Sequence, residues 1–120
     1  MKILICDDDP AVVSVIRFKL VREELGDVLV ATDGREALSL LKDHSFDLIL
    51  TDIHMPYHSG LELVTHVRQT LKLSTPILIL STEGLEDTVL QAFELGADDY
   101  VSKPFSLPEL ALRVKRLIKK

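Results

Sequence analysis

The segment Asp47-Leu48-Ile49-Leu50-Thr51-Asp52-Ile53-His54-Met55-Pro56 decides the fold of this chain. An apolar run too short for a helix stops at Thr51-Asp52, and Pro56 and then Gly60 follow within a few residues. That pattern reads as a fully buried central strand whose last act is to deliver Asp52 to the carboxyl end of a sheet. A carboxylate there is costly unless a cation meets it. Two other stretches supply partners: Asp7-Asp8-Asp9 follows Ile3-Leu4-Ile5-Cys6, and Lys103-Pro104 follows Asp99-Tyr100-Val101-Ser102.

Working outward, short apolar runs alternate with helical patterns along the whole chain. The runs predict strands at 2–6, 27–31, 47–51, 76–81 and 98–102, with helices at 10–25, 34–43, 60–72, 85–96 and 106–119. Helix starts are marked chemically. Asp9-Pro10 places a capping carboxylate before a first-turn proline. Ser59-Gly60-Leu61-Glu62 and Ser106-Leu107-Pro108-Glu109 fit the capping box, and Asp33-Gly34-Arg35-Glu36 is a looser version. Gly26 and Gly96 are expected to close the first and fourth helices. Val13, Ile16 and Leu20 form one buried stripe, and Leu107, Leu110, Val114 and Leu117 another.

Such alternation means parallel strands joined by right-handed crossovers, with helices on both faces. Five βα units fit a doubly wound, flavodoxin-like α/β sheet of order 2-1-3-4-5, not a closed barrel of eight. In that order strands 1 and 3 are neighbours and the crevice lies over their carboxyl ends. Asp7 and Asp8 from strand 1, Asp52 from strand 3, Ser81 from strand 4 and Lys103 after strand 5 then share one edge.

Composition narrows the classes. With 120 residues, 47% hydrophobic and 28% charged, residues 1–120 are expected to form one soluble domain. A net charge of -5 disfavours direct nucleic-acid binding. The one basic cluster, Arg113, Lys115, Arg116, Lys119 and Lys120, sits where it complements the end of the last helix dipole. The single Cys6 excludes a disulfide framework. Neither a membrane-length apolar run nor a signal-peptide layout is visible, so a cytoplasmic location without membrane contact is expected.

Three clustered carboxylates with no Cys or His partner suit a hard divalent cation, Mg2+. Asp8 and Asp52 are expected as direct ligands, Asp7 through water, and the backbone carbonyl of His54 as a further ligand. Asp52 then has the makings of a carboxylate nucleophile that becomes an aspartyl phosphate. Lys103 would stabilise the equatorial oxygens, with the Ser81 hydroxyl and the backbone at Thr82 donating to the bound phosphoryl group.

Four segments together carry a resemblance: Cys6-Asp7-Asp8-Asp9-Pro10, Thr51-Asp52-Ile53-His54-Met55-Pro56, Ser81-Thr82-Glu83 and Asp99-Tyr100-Val101-Ser102-Lys103-Pro104-Phe105. In this order and spacing the whole chain resembles a response-regulator receiver domain of two-component signalling. The resemblance implies a signalling phospho-acceptor rather than an enzyme, with Asp52 phosphorylated by a sensor histidine kinase. It implies Mg2+ as cofactor, with Mn2+ able to substitute. Ser81 and Tyr100 would be a switch pair, and the Lys103–Pro104 bond would be cis. The Gly96-Ala97-Asp98-Asp99-Tyr100 region is similar to OmpR/PhoB-type winged-helix transcription regulators. That branch implies a homodimer through Leu90, Phe93, Asp99, Ala111 and Arg113, with an Asp99–Arg113 salt bridge between subunits. DNA would be met only through an output domain outside this chain. Two features depart from the family pattern: Tyr57-His58-Ser59 in the loop after Pro56, and Thr82. The basic residue often found midway along the fourth helix is also missing.

Competing readings remain at this point. A stand-alone regulator shares every motif. A Mg2+-dependent phosphatase with an aspartyl phosphate needs a carboxylate two residues after its nucleophile, where this chain has His54. A phosphate-independent interaction module of the same fold is the third.

Overall fold

The computed structural model describes residues 1–82 and 86–118. Five strands form one parallel sheet: β1 (Lys2–Cys6), β2 (Asp27–Ala31), β3 (Leu48–Asp52), β4 (Ile77–Thr82) and β5 (Asp99–Lys103). Their order is β2-β1-β3-β4-β5, as expected from the alternation. The helices are α1 (Pro10–Arg22), α2 (Gly34–Asp43), α3 (Gly60–Thr65), α4 (Glu86–Leu95) and α5 (Leu107–Ile118). Glu83, which closes one of the quoted motifs, Leu85 at the expected start of α4, and Lys119 and Lys120 of the basic cluster lie outside the described residues.

The sheet separates two cores because alternate strand residues face opposite sides. Leu4, Ile49 and Ile79 pack with α2, α3 and α4, whereas Ile3, Leu50, Leu78 and Val101 pack against α1 and α5. The stripes Val13-Ile16-Leu20 and Leu110-Val114-Leu117 are buried as expected, and Leu107 is half-buried beside the second. Cys6 is fully buried, and burial pushes its thiol far up, so it is an inert small hydrophobe.

Local chemistry accounts for most helix starts. Ala11 N donates to Asp9 Oδ1, and Ser59 and Glu62 form a complete capping box. Asp33 caps α2 by accepting from Glu36 N, while the Glu36 carboxylate reaches one residue further back to Thr32 N.

Several boundaries differ from expectation. Strands β3, β4 and β5 each begin and end one residue later than their apolar runs. At β3 and β5 the leading residue is acidic and is used through its side chain. Lys2 N donates to Asp47 Oδ2, and Ile77 N donates to Asp98 Oδ2. Lys103 is consequently the last residue of β5, and Asp52 the last of β3.

Helix α1 stops at Arg22 because Glu24, at φ 55°, makes the left-handed turn expected of Gly26. Gly26 is needed two residues on, where a Cβ would meet Met1 O at 2.8 Å. Helix α3 does not run as α-helix to residue 72; it widens into a π-helical stretch over His66–Thr70, closed by Leu71 N donating to His66 O.

That widened stretch carries Arg68, which ties down the edge of the sheet opposite to Asp52. Its Nε donates to Gly96 O, Nη1 to Leu73 O and Nη2 to Asp98 Oδ2. Gly96 leaves room for this reach, since a Cβ there would meet Arg68 Cγ at 2.8 Å. His44 is half-buried beside Phe46 and lies 2.9 Å from Lys2 Nζ.

Candidate functional site

At the carboxyl edge of the sheet, β1 and β3 are adjacent, with Cys6 opposite Thr51. The residues that follow, Asp7 and Asp52, therefore emerge side by side. Lys103 arrives from the other end of the sheet, opposite Thr82 in the β4–β5 register. Its ammonium lies 2.8 Å from Asp7 Oδ2 and 3.2 Å from Asp52 Oδ2. Lys103–Pro104 is the cis peptide that the resemblance implied.

Each carboxylate has a second partner. Asp9 N donates to Asp7 Oδ1 at 2.9 Å, and Ile53 N donates to Asp52 Oδ1 at 2.7 Å. Asp7 is fully buried, Asp52 is half-buried and Asp8 is exposed. One oxygen from each of Asp7, Asp8 and Asp52 lies within 4.8 Å of the others, and among the described residues this is the one cluster able to hold a metal. Counting three carboxylates against one ammonium leaves two negative charges, which a divalent cation balances. The donors are all hard oxygen, so the residues fit Mg2+.

Burial pushes the Asp52 carboxyl above its ordinary value; Lys103 opposes that shift and Asp7 adds to it. For Lys103, burial pulls the ammonium down, but the Asp7 hydrogen bond and the Asp52 and Asp7 charges outweigh it and hold the group above its usual value. One cation is thus shared by two acids and lies closer to Asp7. The native state binds a proton at Asp52 more readily than the unfolded chain does. Stability at this position is therefore greatest in acid and falls as pH rises from the ordinary carboxylate value through the raised one. Asp52→Asn should accordingly melt above wild type at neutral pH in chelator, with the gain vanishing in acid. Thermal melts across pH test this, and a variant melting lower at neutral pH would contradict it.

The remaining expected residues have defined places. Ser81 is buried near the end of β4, and its hydroxyl donates to Thr82 O at 3.0 Å. Thr82 is exposed at the strand's last position and His54 is exposed in the loop after Asp52. Tyr100 is 40% exposed and lies edge-on to Phe93 with ring centroids 6.0 Å apart. Leu90 and Phe93 are exposed, but Ala111 is not. It is buried with Leu110 and Val114, which corrects its place among the dimer-face residues; the neighbouring exposed apolar residue is Leu112. Asp99 and Arg113 are already paired within the chain at 2.9 Å, and that bond holds the Arg113 guanidinium even higher than usual.

A doubly wound sheet with an acidic cluster and a lysine at its switch point defines a small class of proteins. The chain belongs to the family of the response regulator receiver domain, whose model matches residues 3–115. It is 41% identical over 119 residues to the transcriptional regulatory protein CpxR of Klebsiella pneumoniae, covering 99% of this chain and 50% of that protein. The Francisella response regulator 1452 receiver domain superposes with a TM-score of 0.88 at 37% identity, covering 98% of this chain and 96% of that one. DrrB of Thermotoga maritima, an OmpR/PhoB homologue, superposes at 0.87 with 33% identity, covering 98% of this chain and 52% of that one. The chain therefore spans about half the length of the curated relatives it matches. Among the described residues no helix is long and apolar enough to cross a membrane.

Proposed function

We propose that the chain is the phospho-accepting domain of a transcription regulator, phosphorylated on Asp52 by a sensor histidine kinase. The observation that carries this reading is the position of Asp52, with Lys103 at 3.2 Å and the oxygens of Asp7 and Asp8 within 4.8 Å. Asp7, Asp8 and Asp52 would hold Mg2+, joined by the His54 carbonyl, and Mn2+ would serve in its place. When bound, the cation supplies charge neutralisation for the transferring phosphoryl oxygens.

An oxygen of Asp52 attacks phosphorus, forming a new P–O bond as the bond to the donor breaks and its electron pair leaves with the donor. Lys103 stabilises the equatorial oxygens, and its ties to Asp7 and Asp52 keep it there without reorganisation. Ser81 rotates from the Thr82 carbonyl to donate to the bound phosphoryl group, and the backbone at Thr82 adds a donor. That rotation vacates space for the exposed Tyr100, so Ser81 and Tyr100 form the switch pair. Water attack on phosphorus later returns free Asp52, and the cycle is slow signalling chemistry rather than turnover.

The regulated face consists of exposed Leu90 and Phe93 with Asp99 and Arg113, and it forms a homodimer after phosphorylation. An Asp99–Arg113 bridge between subunits would replace the one within the chain. A DNA-binding output domain outside this chain would fit relatives that are transcriptional regulatory proteins about twice the matched length. The cytoplasm is the compartment where a kinase and DNA are both reached.

Incubation with Mg2+ and acetyl phosphate should add one phosphoryl mass to wild type and none to Asp52→Ala. Equal gain by both, or none by wild type, would overturn the assignment. Rapid multiple turnover of phosphomonoesters would favour the phosphatase reading, which His54 disfavours by occupying the place of the second carboxylate.

A further inference from the structure

The loop between Asp52 and α3 is fastened at two points. Its base is closed by Gly60 N donating to Ile53 O at 2.7 Å. Its tip is held against the start of α2: Gly34 N donates to Pro56 O at 3.0 Å, and a Cβ on Gly34 would meet His58 O at 2.3 Å. Between these contacts lies Tyr57, whose φ of 72° is left-handed and uncommon for a bulky residue. Such a backbone persists only where the surroundings fix it. The fixing group on the side chain is Arg35, whose guanidinium carbon sits 4.0 Å from the centroid of the Tyr57 ring. Tyr57 is 64% exposed; its backbone is spanned by His58 N donating to Pro56 O at 2.9 Å, and its ring is held by the cation–π contact.

We propose that Arg35, acting through the Tyr57 ring, is a positioning residue for the Asp52 centre. The clasp holds the loop tip, so that His54 and Met55, strung between tip and base, keep a single path beside Asp52. Losing either half of the clasp lets Tyr57 relax out of the left-handed region and carries His54 with it. The inference rests on the cation- and phosphoryl-binding reading above and adds to it two residues that touch neither.

The test is a Mg2+ titration by calorimetry, paired with phosphorylation by acetyl phosphate at subsaturating Mg2+. Arg35→Gln and Tyr57→Leu should each weaken Mg2+ binding and slow phosphorylation by about two- to fivefold, the range an exposed cation–π contact supports. The double variant should be no worse than either single one, because both remove the same contact. Tyr57→Phe and Arg35→Lys should retain wild-type behaviour. Tyr57→Gly should bind Mg2+ as weakly as Tyr57→Leu while melting higher than it, since glycine adopts positive φ freely. A purely structural role would not split affinity from melting in this way. Wild-type Mg2+ affinity in Arg35→Gln and Tyr57→Leu would overturn the clasp, as would equal weakening in Tyr57→Phe. Absence of Mg2+ binding and phosphorylation in wild type overturns the underlying reading as well, and is told apart because every variant then matches wild type.

Discussion

Gly60→Ala should cost about 3 kcal/mol or more of folding stability, at the strained end of what overpacking does. Ordinary helix propensity argues the opposite sign, since Gly60 opens α3 and alanine is the better helix former by roughly 0.5–1 kcal/mol. The structure decides against propensity. A Cβ at this position would lie 2.2 Å from Asp52 O and 3.0 Å from Ile53 Cα, and both obstacles are backbone. No rotamer change relieves them; α3 would have to move away from β3. Urea denaturation measures the effect, and with a slope of about 1–3 kcal/mol per molar the midpoint should fall by roughly 1–3 M. A variant with an unchanged or higher midpoint would show that α3 does not rest on the end of β3 as described. Because the contact is with Asp52 itself, any surviving folded fraction should also accept phosphoryl groups poorly.

Lys103→Met should destabilise the metal-free protein by about 3–5 kcal/mol at neutral pH, the usual loss when one member of a buried ion pair is removed. The methionine keeps most of the packing, so the loss reports charge. Asp7 is fully buried, and without the ammonium at 2.8 Å its remaining recorded partner is Asp9 N. Lys103 also opposes the burial that raises the Asp52 carboxyl, so its removal lets Asp52 take up a proton still more readily than the unfolded chain does. The deficit should therefore be small in acid and grow as pH rises. Millimolar Mg2+ should recover part of it by supplying positive charge to the same carboxylates. Equal stability of variant and wild type in chelator at neutral pH would mean that Asp7 does not depend on Lys103.

The sheet order, the two apolar helix stripes and the convergence of Asp7, Asp8, Asp52 and Lys103 were all legible from the chain. They follow from period and from parallel register, which put every strand's carboxyl end on one edge. Two of the misreadings share a physical cause: a side chain replaced a backbone signal. Asp47 and Asp98 extend apolar runs in the sequence, yet each serves the neighbouring strand through its carboxylate and stays out of its own. Glu24 takes the left-handed turn for which Gly26 is the obvious candidate. Ala111 lies on the buried face of α5, four residues after Leu107 and three before Val114, where helical spacing itself puts it. The Arg35–Tyr57 contact joins residues 22 apart, and no periodicity announces it. Its one sequence trace is Tyr57-His58-Ser59 after Pro56, where the chain departs from the family pattern.

The three donations of Arg68 at the far edge have a further consequence. One guanidinium binds the chain before β4, the turn after α4 and the acid just before β5, and so joins these three segments at one corner. If Asp52 is phosphorylated as proposed, β4, α4 and β5 should respond by pivoting about that anchored corner. A signal arriving at Asp52 would then emerge as tilt of one face, not as general loosening.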